Sequence, residues 1–166
     1  MTWAQTCTTG GMILIALAAP SVARAQAVPG ESVQPEVRLD AIITETRSAL
    51  QAGGGLQIPA GYYVRIGIIG AAGADVGSGG SDASARLDVT GRFLLDPFRQ
   101  NRWGFSAGAG VSLRGRAHDR VRPYLVTVID LEGPRSTNGI APAIQLGLGG
   151  GVRIGAAMRW GARAAR

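Results

Sequence analysis

The stretch Ile144–Gly155 reads I-Q-L-G-L-G-G-G-V-R-I-G and decides which kind of fold the chain can form. Ile, Leu or Val alternates along it with glycine or a polar residue. A helix disfavours this composition, because each glycine costs about 1 kcal/mol there, and a water-exposed loop disfavours the aliphatic side chains. The alternation is typical of a strand whose two faces meet different surroundings, and it predicts a strand of a narrow closed barrel.

The same two-residue period returns elsewhere, most clearly in Ala83–Leu95. There the odd positions are non-polar, and the even positions up to Arg92 are polar or charged. No segment keeps a helical period of 3.6 residues. The alternating segments are Val37–Ile43, Ser48–Ile58, Tyr62–Ala74, Ala83–Leu95, Trp103–Arg116, Val121–Leu131 and Ile140–Trp160.

The last of these segments is too long for one strand, since Ile140–Trp160 would extend about 70 Å. A tight turn at Gly149–Gly151 would divide it into two. The pattern then predicts an all-β fold, an antiparallel up-and-down (meander) β-barrel with six clear strands and up to eight. Eight is the usual minimum for a closed membrane barrel.

Residues 1–25 have the pattern of a cleaved signal peptide. The apolar run Met12–Ala19 precedes Ala23-Arg24-Ala25, a typical cleavage site, and is too short for a membrane-spanning helix. An N-terminal anchor or a misassigned start is the alternative. Cleavage would also remove Cys7, the single cysteine, so no disulfide is expected. The predicted division is 1–25 signal peptide, 26–35 disordered leader, 36–160 barrel domain and 161–166 C-terminal tail.

The charge of the chain raises the question of nucleic-acid binding. All 17 basic residues are arginine, and the formal net charge is +6. However, the arginines are scattered, the aromatic residues do not alternate with them, and no recognition motif is present. We therefore expect no nucleic acid as a partner.

Aromatic residues gather near the ends of the predicted strands. If successive strands run up and down, six of them meet at one rim and two lie towards the opposite rim. Amphipathic rings prefer the headgroup depth of a bilayer, so this placement predicts an interfacial girdle. Core aromatics at hairpin ends are the alternative. The six are Tyr62, Tyr63, Phe93, Phe98, Trp103 and Phe105, and the two are Tyr124 and Trp160.

The polar face of the strands predicts a lumen lined by Arg, Gly and Ser. Charges that line such a lumen are removed from water and must pair. Asp88 is the single carboxylate on its face of its strand, so we expect a net positive lumen. It could be filled by Arg–Asp pairs, or it could form a narrow pore or pocket for an anionic small molecule. The predicted lumen residues are Arg65, Arg86, Asp88, Arg92, Arg114 and Arg153.

The signal, the cysteine-free mature chain and the alternating hairpins resemble small bacterial outer-membrane β-barrel proteins. Such proteins usually close with a strand bearing a polar residue, then glycine, then two aromatics two positions apart. Here Arg153, Gly155 and Trp160 match, Met158 stands where an aromatic is usual, and residues 161–166 follow. The resemblance implies an outer-membrane location, the lipid bilayer as a partner, and the outer-membrane insertion machinery as another.

Few residues offer chemistry. His118, the single histidine, is expected in an exposed loop with no nucleophile converging on it. Asp75–Asp82 could hold calcium but has no third carboxylate, so a flexible loop is expected. We predict no catalytic residue, no cofactor and no metal ion. Partner binding is expected in the loops Gly73–Asp82 and Glu132–Gly139.

Two functions remain open at this point. The first is a non-enzymatic outer-membrane β-barrel with a structural or interaction role, whose aliphatic side chains face lipid. The alternative is a soluble exported (periplasmic) β-barrel or sandwich that binds a small ligand. It reverses the two faces, placing Leu87, Val89 and Phe93 inside and Arg86, Asp88 and Arg92 in water.

Overall fold

The structure is a computed structural model that describes residues 32–98, 100–117 and 119–161. The predicted signal peptide, most of the predicted leader, His118 and most of the C-terminal tail lie outside the described residues. In the described part, no α-helix has the length and apolar character needed to cross a membrane.

Eight strands form one closed barrel. Each strand pairs antiparallel with the next, and the last pairs with the first. This is the up-and-down barrel that the alternation predicts, at the upper limit of the predicted strand number. The strands are β1 Gln34–Ile43, β2 Arg47–Pro59, β3 Val64–Gly77, β4 Gly80–Leu94, β5 Gly104–Arg116, β6 Asp119–Glu132, β7 Ile140–Leu148 and β8 Val152–Trp160.

The turn between β7 and β8 lies where the opening stretch predicts it. Gly149, Gly150 and Gly151 have φ angles of 149°, 64° and 130°. Side chains disfavour this region of the backbone, whereas glycine enters it freely. The three glycines therefore reverse the chain and divide the long alternating segment into two strands.

Two predicted boundaries differ from the structure. β1 begins at Gln34, inside the predicted leader 26–35. β3 continues to Gly77 and β4 begins at Gly80, so the predicted loop Asp75–Asp82 is mostly strand closed by a two-residue turn. Residues 77–81 are all Gly or Ser, so this run lacks the polar and apolar alternation that marks a strand.

The two ends of the barrel differ. At the loop end, β1 begins and β8 ends; at the hairpin end, every connection is short. β7 ends at Leu148, which pairs with Thr127, the ninth residue of β6, so the barrel wall is shortest at the β7–β8 turn. The loop-end connections are 60–63, 95–103 and 133–139, and the hairpin-end connections are 44–46, 78–79, 117–118 and 149–151.

The strands are strongly tilted, as closure of a barrel requires. Ile43 lies at the hairpin end of β1. Its cross-strand partner lies on β8, and following the partners from strand to strand around the barrel ends on β2 at Ile58. Ile58 lies near the loop end, so the line of partners has moved from one end of the barrel to the other. The intermediate partners are Val152, Leu148, Thr127, Ala109, Gly91 and Ile66.

Inward-facing glycines let neighbouring strands coil closely. A Cβ on Gly110 of β5 would collide with the backbone of β4, lying 2.6 Å from the Cα of Thr90 and closer still to the carbonyl oxygen of Val89. Outward-facing Gly70 has open space at the same position. The curvature at the centre of the barrel therefore depends on the absence of a side chain at residues such as Gly110.

The barrel is apolar outside and polar inside. The outward side chains on β4 are 46 to 53% exposed, and the inward ones are at most 4% exposed. The soluble alternative requires the reverse, so it is wrong about this strand. The outward residues are Leu87, Val89 and Phe93, and the inward residues are Arg86, Asp88 and Arg92.

Candidate functional site: the charged lumen and the rims

Charged side chains fill the lumen in equal numbers of each sign. Among the described residues, six arginines and six carboxylates are buried. They come from five strands, β1, β3, β4, β6 and β8, because inward positions recur at every second residue. The arginines are Arg38, Arg65, Arg86, Arg92, Arg153 and Arg159, and the carboxylates are Glu36, Asp40, Asp75, Asp88, Asp130 and Glu132.

The centre of the lumen is organised by two carboxylates, Asp40 and Asp88. Asp40 accepts two hydrogen bonds from Arg38, from Nε at 2.7 Å and from Nη2 at 2.5 Å, and it also pairs with Arg86. Asp88 pairs with Arg153 at 2.7 Å and with Arg86 at 3.2 Å. Arg86 thus joins the two carboxylates into one network that water does not reach.

Towards the loop end, Arg159 is the centre of a second cluster. Its guanidinium donates to Glu36 at 2.9 Å, to Asp130 at 2.6 and 2.8 Å, and to Glu132 at 3.3 Å. Arg65 lies 3.6 Å from Glu132. Charge-assisted bonds of this kind are roughly twice as strong as neutral ones, so Arg159 holds β1, β6 and β8 together.

The loop-end cluster leaves little free space. A cavity of about 20 Å³ lies beside it, bordered by Arg65, Arg92 and Arg159. A single water needs about 10 to 15 Å³ of such space. The lumen at this level therefore has room for about one water molecule rather than for a solute.

Towards the hairpin end, the ion pairs are open to water. Asp75 accepts bonds from Arg47 at 2.8 Å and from Arg114 at 2.7 Å, and the arginine side chains are 22 and 12% exposed. Asp119 pairs with Arg116 at 2.6 Å. This part of the lumen widens into a pocket of about 160 Å³.

All six residues predicted for the lumen face inward. Arg86, Asp88 and Arg153 meet in the central network, Arg65 and Arg92 lie near the loop end, and Arg114 is partly exposed at the hairpin end. Arg92 lies 3.6 Å from Asp130. The structure thus brings three of the six into direct contact and distributes the others along the barrel axis.

The expectation of a net positive lumen is wrong for the buried residues. Carboxylates on β1, β3 and β6 balance the arginines, and the sequence prediction missed them together with Arg38 and Arg159. The signal was present: Arg38 and Asp40 alternate with Val37 and Leu39, as Asp130 does with its aliphatic neighbours. The charges on one strand do not reveal this balance, because it depends on the charges of all the strands that face the lumen.

Most of the described aromatic residues lie at the loop end. Tyr63 stacks on Phe93 with ring centroids 5.6 Å apart, and Phe98 contacts both Tyr62 and Tyr63. Trp103 and Phe105 are 57 and 41% exposed at the same end. Exposed rings therefore lie along the part of this rim formed by the start of β3, the end of β4 and the start of β5.

Two of the predicted aromatic positions need correction. Trp160 ends β8 at the loop end, with the other six, because the Gly149–Gly151 turn brings the chain back. Tyr124 lies at the hairpin end but belongs to the inward-facing register of β6. A Cβ on Gly150 would lie 2.9 Å from its ring, so Tyr124 packs on the β7–β8 turn instead of facing outward.

The described residues do not assemble a recognisable reaction centre. No three His, Cys, Asp or Glu side chains in this part of the chain are grouped so as to hold a metal ion. Each buried carboxylate of the central network already accepts bonds from arginine, which keeps it from acting as a free base. The chemistry that the arrangement supports is ion pairing.

Comparison with known proteins gives a likeness in fold. No known protein family and no curated protein matches the sequence. Among solved structures, the chain is similar to TMB2.3, a de novo designed transmembrane β-barrel whose structure was determined by solution NMR. The similarity covers 81% of this chain and 97% of the design, with 11% sequence identity and a TM-score of 0.50. The chain thus shares its eight-stranded barrel fold with a designed membrane barrel.

Proposed function

We propose that this protein is a non-enzymatic β-barrel of the bacterial outer membrane with a structural or interaction role. The observation that carries the proposal is the surface of the described residues, on which 32 large hydrophobic side chains are exposed, most of them on the outer face of the strands. Soluble monomers rarely expose contiguous apolar patches larger than a few hundred Å². A surface of this kind requires a lipid environment.

The distribution of charge on the outside supports the same conclusion. The described charged residues with exposed side chains are Glu45, Arg102, Arg120 and Arg122. Arg102 lies at the loop end, and the other three lie at the hairpin end. The middle of the outer surface is left without charge, as the hydrocarbon core of a bilayer requires.

Strand length and rim chemistry also agree with a bilayer. The strands contain 9 to 15 residues, and a tilted strand of about 9 to 11 residues spans the hydrocarbon core. The aromatic layer at the loop end is typical of a membrane–water interface, where amphipathic rings are enriched. The fold shared with a designed transmembrane barrel is consistent with this placement.

The balanced lumen supports a structural role over transport of anions. Six arginines face six carboxylates, and a barrel of eight strands is just wide enough for its side chains to fill. Selectivity for anions would require an excess of arginine along the axis. We infer that the lumen stabilises the barrel and that interactions involve the rims.

Cell fractionation is the first test of the proposed location. The protein is expressed in a Gram-negative host, and membrane and periplasmic fractions are run on a gel with and without boiling. We expect membrane material whose mobility changes on boiling, because a closed barrel resists the detergent until heated. Soluble periplasmic protein would contradict the proposal.

A substitution on the outer surface tests lipid exposure directly. Val89→Arg places a charge in the middle of the outer face, where we expect a loss of about 2 to 4 kcal/mol in unfolding free energy in phosphatidylcholine vesicles. Ser81→Arg introduces the same charge near the hairpin end, where the expected loss is about 0 to 1 kcal/mol. Urea titration measures both. Equal small losses would indicate that water surrounds Val89.

A further inference from the structure

The pocket at the hairpin end has a composition unlike the rest of the lumen. It measures about 160 Å³ and lies between the β1–β2 turn and the β5–β6 hairpin. We propose that this pocket, termed the arginine pocket, binds a phosphoryl group. Five arginines line it: Arg47, Arg114, Arg116, Arg120 and Arg122.

The arginine pocket carries an excess of positive charge. Asp75 and Asp119 line it, and Asp82 pairs with Arg47 at 3.0 Å. Three carboxylates therefore oppose five guanidinium groups. Glu45 lies in the adjoining turn but borders a separate depression on the outer side, beside Leu148. Asp75 is also one of the six carboxylates counted in the buried lumen, so the positive excess of the pocket is at least two charges.

Several arginine donors of the pocket remain available to a ligand. Arg122 is 62% exposed at its side chain, and its nearest carboxylate oxygen, on Asp119, is 3.7 Å away, beyond hydrogen-bond distance. Arg120 is exposed, and its side chain forms no ion pair with the described residues. Each guanidinium has five N–H donors in a planar fork that fits phosphate oxygens in pairs.

The shape of the pocket admits an anion from two directions. Leu148, the last residue of β7, pairs with Thr127, so the first eight residues of β6 extend past the end of β7 and the wall is low on that side. Tyr124 packs on Gly150 at this low point and forms the floor. The outward side chains Val121 and Leu125 stand beside it, 64 and 84% exposed. A phosphoryl group can thus enter along the axis from water or sideways from a lipid headgroup.

Phosphate fits this pocket better than a carboxylate ligand does. A phosphomonoester carries about 1.5 to 2 negative charges near neutral pH and three acceptor oxygens. Two excess guanidinium groups match that charge, and their forks can share the three oxygens. A monocarboxylate would leave one guanidinium without a counter-charge.

Binding is tested on the refolded full chain with inorganic phosphate as the probe. Calorimetric titration in zwitterionic detergent micelles requires no bilayer, so its result is independent of the proposed location. We expect binding that weakens as salt rises, because the ligand interaction is charge-assisted. Absence of phosphate binding at low salt, together with no preference for phosphatidic acid in vesicles, would overturn the inference.

Matched variants locate the binding. Arg120→Gln and Arg122→Gln remove guanidinium groups outside the main ion-pair network, so the barrel should fold. We expect each to weaken phosphate binding by about three- to tenfold. Arg102→Gln removes an exposed arginine at the loop end and should leave affinity unchanged. An equal loss of phosphate affinity in Arg102→Gln would show that phosphate is attracted by the overall positive charge and is not bound in the pocket. This result would overturn the assignment.

The source of the phosphoryl group is distinguished in vesicles. Phosphatidylcholine vesicles doped with phosphatidic acid are compared with vesicles doped with phosphatidylglycerol, using the thermal unfolding midpoint. Stabilisation by phosphatidic acid that Arg122→Gln removes supports a lipid phosphomonoester. Stabilisation by inorganic phosphate with no difference between the lipids supports a free ligand. Failure of the barrel to insert would contradict the proposed function and leave the micelle result standing.

Discussion

The centre of the lumen and the arginine pocket use the same two residue types with different exposure to water. Asp40 and its partners Arg38 and Arg86 have side chains at most 1% exposed. In the pocket, the side chains of Asp119 and Arg122 are 31 and 62% exposed. Where water is excluded, each charge needs a partner at all times. Where water enters, pairs contribute little and arginines are available to a ligand.

The largest effect is expected from breaking the central network. Asp40→Ala leaves Arg38 and Arg86 buried without their shared carboxylate, and removal of one member of a buried pair costs about 3 to 5 kcal/mol. Urea unfolding in detergent micelles measures the loss. Glu45→Ala, in the exposed β1–β2 turn, is the control and should leave the urea midpoint unchanged. Equal midpoints for the two variants would mean that water reaches the centre.

Packing should differ between the same two regions. A Cβ on Gly110 meets the backbone of β4, so we expect Gly110→Ala to cost about 1 to 3 kcal/mol by overpacking. A Cβ on Gly77, at the mouth, meets the side chain of Arg47 at 2.8 Å, which can move into water. Gly77→Ala should therefore change stability less. Comparable losses for both variants would show that the mouth is as tightly packed as the centre.

Asp75 lies at the boundary between the buried lumen and the arginine pocket, so its removal tests both regions at once. Asp75→Asn weakens two charge-assisted bonds, but both arginines keep contact with water. The expected loss is about 1 to 2 kcal/mol, below that of a fully buried pair. The same change raises the positive excess of the arginine pocket, so phosphate affinity should rise. Calorimetric titration of the variant with phosphate checks the sign.

The smallest effect is expected at Asp119. Its partner Arg116 is partly exposed, and both groups lie at the rim, where water and salt weaken the attraction between charges. Asp119→Asn should therefore leave the urea midpoint unchanged, while phosphate binding strengthens as it does in Asp75→Asn. A marked fall in stability would indicate that this pair fixes the β5–β6 hairpin.

The alternation of side chains made most of the fold predictable. It located seven strand regions, the turn at Gly149–Gly151, and the inward direction of residues such as Arg86 and Arg153. It failed at Asp75–Asp82, because residues 77–81 are all Gly or Ser and carry no contrast between polar and apolar positions. The strand ends there are defined by the pairing of Gly77 with Arg47 of β2 and with Gly80 of β4, which a local pattern does not contain.

The candidate site was predictable in part. The inward residues of one strand follow from its own alternation, but charge balance depends on which strands become neighbours. Arg159 meets Glu36 from the opposite end of the described chain, a contact that exists only once the barrel has closed. The direction of Tyr124 was missed for a similar reason, since its ring contacts Gly150 of another hairpin.

The pairing of β1 with β8 has a consequence for the time course of folding. Eight residue pairs join these strands, from Glu36 with Arg159 to Ile43 with Val152, and they connect the two ends of the described chain. Contacts of such high sequence separation form slowly. Until the seam closes, two strand edges and the apolar face are exposed together, a combination that promotes aggregation. On the proposed membrane location, we expect the chain to need a membrane or a chaperone from synthesis to closure.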